Sequence, residues 1–248
     1  MEESKFKFPT EIIELPSKGL VYPEDNALSS GKIEMKYMTA KEEDILSNQS
    51  YIQKGVVLDK LLQSLIVSKI NYQDLIVGDK NAIMIAARVL GYGKDYEFEY
   101  KGEKVMVDLS LLDNKPFDET SISQGQNEFS FTLPNSGAII TYKLLTHKDE
   151  MAIEAELRGL KKLNKNASPD VSTRLKYMII SVNGDSDRKV VREFVDTYFL
   201  AQDARSFRKH VADSQPDVNL TTPVELMEGI EDIDIPITVN FFWPDASI

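Results

Sequence analysis

The stretch LPSKGLVYP at residues 15–23, followed by GKIEMKYMTAKEEDIL at residues 31–46, is the part of the sequence that decides the fold. Pro16 and Pro23 fix the backbone angle φ and disfavour helix in the residue that precedes each of them. Gly19 between them permits a sharp bend. The first stretch therefore predicts an extended or turned entry segment.

In the second stretch a strand passes directly into a helix. Apolar and charged residues alternate over residues 32–37, which is typical of a half-buried strand. Thr39 and Glu42 have the spacing of a capping box, in which two side chains satisfy free backbone N–H groups at a helix start. The two stretches together predict an arm, a strand, a tight corner and a helix.

The rest of the sequence separates into strand patterns and helix patterns. Leucines spaced i, i+3, i+4 and i+7 predict an amphipathic helix over residues 58–65, and a similar pattern predicts another over residues 83–90. Alternation and turn residues predict strands on either side of Lys101-Gly102 and of residues 134–137. Further helices are predicted from Thr146 to about Leu163, after Pro169, from Val190 and over residues 201–213. The predicted fold class is α+β, with short antiparallel sheet elements and a segregated helical part.

Three parts are predicted along the chain: an extended arm at residues 1–31, a mixed α/β part with hairpins at 32–145, and a mainly helical part at 146–248 that a C-terminal strand closes. That strand is predicted from strict alternation over residues 232–243, and Pro236 would make it an edge. The alternation places Trp243 inward and Phe242 outward. Phe242 is then either a core plug or an aromatic anchor for another chain.

Composition limits the partners that this chain is expected to have. The formal net charge of −11 disfavours nucleic acid and anionic membranes as primary partners, because both require clustered cations. No apolar run approaches the ~18 residues of a membrane span, and the charged start MEESK does not resemble a signal peptide. The absence of cysteine excludes disulfides, thiol catalysis and cysteine metal sites.

Few residues offer catalytic or cofactor chemistry. His147 and His210 each lack a second histidine at i+3 or i+4, so both are expected to be solvated helix residues and not zinc ligands or triad members. The run GYGKDY at residues 91–96 lacks the third glycine of a dinucleotide fingerprint and follows a helix, which favours a helix cap. The sequence therefore predicts no enzyme activity, no cofactor and no metal.

Several segments together resemble the T4-type bacteriophage baseplate protein family, whose members are usually called baseplate hub subunits. The segments are residues 15–46, YKLLTHKDE at 142–150, DARSFRKH at 203–210, QPDV at 215–218 and IPITVNFFWP at 235–244. Some relatives carry paired cysteines that suggest a zinc ribbon. This chain has no cysteine, so the resemblance does not imply that metal role.

The resemblance implies a structural component of the tail baseplate hub of a contractile-tailed phage. Such a protein contacts other baseplate or tail proteins, and it is located in the virion tail baseplate and, during assembly, in the host cytoplasm. Two alternatives stay open: a non-virion assembly factor or chaperone for the hub, and an enzyme of unknown type. The oligomeric state and the contacted protein also stay open.

Candidate partner-binding residues lie at three places. They are Pro16, Lys18, Gly19, Tyr22 and Pro23 in the entry stretch, Arg205 and Arg208 in the late helix, and Phe242, Trp243 and Pro244 at the end. Arg205 and Arg208, together with Lys209 and His210 and with Phe207 between them, could form a basic strip. A solvated helix face, a partner-facing strip and a nucleic-acid contact are the alternatives for that strip.

Overall fold

A computed structural model of the chain describes residues 9–163, 169–227, 229–237 and 239–243. These residues form helices and short antiparallel sheets, which confirms the predicted α+β class. The helices are α1 (Ala40–Leu46), α2 (Gln49–Gln53), α3 (Val57–Leu65), α4 (Val77–Tyr92), α5 (His147–Leu163), α6 (Asp170–Met178), α7 (Arg188–Glu193), α8 (Ala201–Ser214) and α9 (Val239–Phe242). The strands are β1 (Thr10–Glu14), β2 (Lys32–Lys36), β3 (Asp95–Tyr100), β4 (Glu103–Asp108), β5 (Phe129–Thr132), β6 (Ile139–Tyr142), β7 (Ile179–Val182), β8 (Thr221–Leu226) and β9 (Gly229–Asp234).

All strand pairs are antiparallel. β1 pairs with β2, β3 with β4 and β8 with β9, while β6 lies between β5 and β7. The turn between β3 and β4 is the predicted Lys101-Gly102 turn, and both of its residues have positive φ. Strands β7 and β8 were not predicted. The helix predicted after Pro169 ends at Met178, and β7 begins at Ile179 because the β-branched residues that follow favour a strand.

The predicted arm, residues 1–31, is extended only over β1 within its described part, and residues 1–8 lie outside the described residues. After Glu14 the arm makes a series of turns, and its last part is a short 3₁₀ helix at Ala27–Ser30. Leu15, Val21 and Leu28 are almost fully buried in the main hydrophobic cluster. Burial of these side chains explains why the segment folds back onto the molecule.

The capping box at Thr39 and Glu42 forms as predicted at the start of α1. Glu42 is fully buried and accepts hydrogen bonds from Thr39, from Ser64 and from the ammonium group of Lys36 at 2.8 Å. Burial alone would raise the pKa of Glu42, but the hydrogen bonds from these partners lower it to about 2. The corner between β2 and α1 is therefore fixed by an ionised, buried carboxylate.

The C-terminal strand is shorter than predicted. β9 ends at Asp234, the chain becomes irregular before Pro236, and residues Val239–Phe242 form α9. Proline cannot donate to a strand ladder, which explains why the alternation does not continue as a strand. In a helix, consecutive residues are not on opposite faces. Phe242 is therefore buried beside Phe241, and the prediction that it points outward is wrong.

Candidate partner-binding site

The entry stretch, residues 15–23, is held from inside by one buried carboxylate. Asp79, in the first turn of α4, accepts hydrogen bonds from the Ser17 backbone N–H (2.9 Å), the Ser17 hydroxyl (2.6 Å) and the Tyr22 hydroxyl (2.5 Å). The Tyr22 hydroxyl accepts the backbone N–H of Ile76 at 3.1 Å. Burial raises the pKa of Asp79, and the hydrogen bonds from Ser17 and Tyr22 oppose that rise. The stretch is thus anchored to the start of α4.

The candidate residues of this stretch fall into a buried and an exposed group. The buried ones are Pro16, Gly19 and Tyr22. Gly19 has φ of 80°, and a Cβ atom there would lie 2.3 Å from the carbonyl oxygen of Ser29, so only glycine fits. Lys18 and Pro23 are exposed, and Lys18 forms an ion pair with Glu119 at 2.5 Å. Only these two side chains remain available to a partner.

The late helix α8 is anchored in the same way. Asp203 is fully buried and accepts hydrogen bonds from the backbone and side-chain N–H groups of Asn135 (both 2.8 Å) and from the backbone N–H of Ser136 (3.0 Å). This carboxylate fixes the predicted turn at residues 134–137 against α8. Arg205 and Arg208 lie on the exposed side of the helix.

Both histidines are packed among other side chains, contrary to the prediction that they are solvated. His147 is 4% exposed, with its Nδ1 atom 3.3 Å from the Lys80 ammonium and its ring 4.7 Å from the Tyr72 ring. Burial and the charge of Lys80 lower the pKa of His147. His210 stacks on Phe131 with ring centroids 4.4 Å apart, and burial lowers its pKa also. Burial therefore disfavours the charged form of both imidazoles.

The aromatic residues at the C-terminus belong to the core. The Phe241 ring packs edge-to-face against the Tyr96 ring, with centroids 5.0 Å apart, and the Phe242 ring packs edge-to-face against the Phe241 ring, with centroids 5.1 Å apart. Trp243 is half-buried against the same cluster, and Pro244 lies outside the described residues. Phe242 is thus a core plug and offers no anchor to another chain.

A groove of about 320 Å³ lies where the starts of α4 and α5 meet α6 and α8. Its lining residues are Ile76, Val77, Gly78, Leu144, Leu145, Glu150, Val171, Arg174, Leu175, Met178, Arg208, Gln215 and Pro216. We call it the arginine-rimmed groove. Gly78 closes its floor, because the backbone of α4 touches the chain at Pro216 so closely that a Cβ atom at Gly78 would lie 1.9 Å from the Pro216 oxygen.

The floor of the groove is apolar and its rim is charged. Leu144, Leu145 and Leu175 are buried, whereas Val171 is 48% exposed. Arg208 is exposed and lines the groove, and its Nε–H donates to the carbonyl of Ala204 in its own helix (3.3 Å). Within the described residues, no carboxylate lies within ion-pair distance of Arg208.

The other arginine of the rim is neutralised. Arg174 donates to Glu150 at 2.5 Å, and this hydrogen bond raises the pKa of Arg174. A groove with an apolar floor and one unpaired guanidinium can bind an apolar group that is followed closely by an anion. The sequence indicated Arg208 as a candidate, but it gave no sign of the groove, whose walls come from four separate segments.

The described residues contain no helix with the length and apolar character of a membrane span. The same residues contain no group of three or more His, Asp or Glu side chains placed to ligate a metal ion.

Comparison of the chain with models of known protein families, with curated proteins and with solved structures finds no match.

Proposed function

We propose that the protein is a structural component of the tail baseplate hub of a contractile-tailed bacteriophage, and that it acts by protein–protein contact and not by catalysis. Its partners are other baseplate or tail proteins. Its location is the virion tail baseplate and, before assembly is complete, the host cytoplasm. The starting point is the resemblance of several segments, in a consistent order along the chain, to the T4-type baseplate family.

The structure supports the proposal by giving those segments one common physical role. Residues 15–23 are anchored on Asp79, and residues 203–210 are anchored by Asp203 on a distant turn. The QPDV segment packs against α4, where Asp217 accepts a hydrogen bond from Asn81 at 2.9 Å. Residues 241 and 242 fill the core. A resemblance concentrated in fold-determining anchors is what a shared architecture would produce.

The observation that carries the contact function is the arginine-rimmed groove. It combines buried leucines with an exposed cation that has no ion-pair partner in the described residues. Exposed apolar cavities of this size with a convergent charged group are preferred binding sites. The apolar surface of the groove is unfavourably exposed to water, and a partner that fills the groove would remove that surface from water.

The test is deletion of the gene from the phage genome, with complementation from a plasmid. Electron microscopy of the lysates is expected to show heads without attached contractile tails in the deletion strain. Plasmid-borne expression of the intact chain is expected to restore tailed particles. Normal tailed and infectious particles in the deletion strain would contradict the proposed function.

A further inference from the structure

We propose that the arginine-rimmed groove binds a segment of another tail protein in which an aspartate or glutamate lies next to a large apolar side chain. This inference rests on the proposed function and names the partner chemistry of the same surface. The apolar side chain enters the groove, and the carboxylate pairs with Arg208.

The dimensions of the groove match a side chain. A volume of about 320 Å³ is at the lower end for small-molecule sites, and it accommodates one large apolar residue together with part of its backbone. The floor residues Leu144, Leu145 and Leu175 present aliphatic surface to the groove. Burial of an apolar side chain against them is favourable by about 25 cal/mol per Å² of area removed from water.

Arg208 determines the charge of the partner. Its guanidinium uses Nε–H for Ala204, so the two terminal nitrogens remain for a bidentate contact with a carboxylate. Arg174 is already paired with Glu150 and contributes less. Arg205, three residues earlier in α8, is also exposed, but it does not line the groove.

The overall charge of the chain limits how an acidic partner reaches this place. A net charge of −11 repels an acidic protein at long range, and screening confines any attraction by Arg208 to about 10 Å at ordinary salt. The contact must therefore be local, with an apolar residue that places the carboxylate against the guanidinium. A segment of a protein supplies both groups in a fixed geometry.

The test measures binding of the purified chain to each baseplate and tail protein of the same phage, produced separately, by biolayer interferometry. The variants are Arg208→Glu and Val171→Asp, which place a carboxylate at the rim, and Arg205→Glu as the matched control of equal charge change. Each variant is first checked for a melting temperature equal to that of the unmodified chain.

We expect the unmodified chain to bind at least one of these proteins. Arg208→Glu and Val171→Asp should each weaken the affinity at least ~30-fold, as at a hot-spot residue, and Arg205→Glu less than ~3-fold. A charge reversal of one acidic residue in the partner should restore binding to the Arg208→Glu variant and to no other.

Three outcomes would overturn the inference. Equal effects of the Arg205 and Arg208 variants, with binding otherwise intact, would refute the groove and leave the proposed function standing. Binding to no tail protein would count against the proposed function and the groove together. Saturable, Arg208-dependent binding of decanoate, in a chain whose tail-protein contact is insensitive to Arg208→Glu, would assign the groove to a small amphiphile.

Discussion

Tyr22→Phe is the substitution that most sharply tests whether the entry stretch is a fold anchor. The hydroxyl of Tyr22 donates to Asp79 at 2.5 Å and accepts the backbone N–H of Ile76 at 3.1 Å, and all three groups are buried. Phenylalanine keeps the ring and its packing, so the change removes two hydrogen bonds and almost no volume. The burial of Tyr22 beside Asp79 also keeps the pKa of its hydroxyl well above the usual value, so no charge is lost.

The expected cost follows from the groups that lose a partner. An ordinary intramolecular hydrogen bond contributes about 0.5–1.5 kcal/mol, and a buried N–H without a partner costs about 1–3 kcal/mol. These contributions are not fully additive, because Asp79 keeps its two bonds to Ser17. We therefore expect the free energy of unfolding to fall by about 2–4 kcal/mol. For a chain of this length that corresponds to a decrease in Tm of roughly 4–16 °C.

Urea denaturation followed by circular dichroism measures the change, and the fluorescence of the single tryptophan, Trp243, provides a second probe of the same transition. The matched control is Tyr37→Phe. Tyr37 also donates to a carboxylate, that of Glu11, but this pair is exposed and the expected cost is below about 0.5 kcal/mol. If Tyr22→Phe lowered the free energy of unfolding no more than its control does, the anchoring role of Asp79 would be refuted. The whole entry stretch would then be a candidate partner-binding surface.

Three further predictions concern other anchors. Gly78→Ala should lower the free energy of unfolding by about 1–3 kcal/mol in urea denaturation, because a Cβ atom would collide with the backbone at Pro216. The control Gly159→Ala, in an open part of α5, should not destabilise the protein. Equal effects of the two substitutions would contradict the close contact between Gly78 and Pro216. Phe242→Ala should lower the free energy of unfolding by about 3–5 kcal/mol in the same assay, because Phe242 is fully buried. An unchanged free energy of unfolding would contradict the burial of Phe242 in the core. The pKa of Glu42 is lowered to about 2, so ionised Glu42 contributes up to about 3 kcal/mol to stability above its unfolded pKa, and this contribution is lost as pH falls from about 4.5 towards 2. Glu42→Gln should flatten that part of the curve of stability against pH. An unchanged curve would refute the stabilising role of the ionised Glu42 carboxylate.

Local sequence patterns predicted most of the regular structure. The leucine spacing of α3, the capping box of α1 and the Lys101-Gly102 turn are each set by residues within a few positions of one another, so they can be recognised without the fold. The end of the chain shows the limit of such patterns. Strict alternation indicates a strand only if the backbone can pair, and Pro236 prevents pairing where the alternation looked strongest.

The anchors and the groove depend on contacts between distant residues. Asp79 lies 62 residues from Ser17, and Asp203 lies 68 residues from Asn135, so neither acid differs in its local sequence from a solvated helix residue. The entry stretch has a distinctive sequence because Ser17 and Tyr22 anchor it on Asp79. Its exposed members, Lys18 and Pro23, are a minority. Of the predicted contact residues that the structure describes, only Arg208 lines the groove.

Quantitative mass spectrometry of purified virions tests the central claim, that this chain is a component of the tail, most directly. Particles are purified by density-gradient centrifugation from a lysate in which the chain is also measured before purification. The account predicts peptides of this chain in the particles, at a constant ratio to other tail proteins across independent preparations. Abundant peptides in the lysate with none in the purified particles would contradict a structural role and would favour an assembly factor that leaves before the virion is complete.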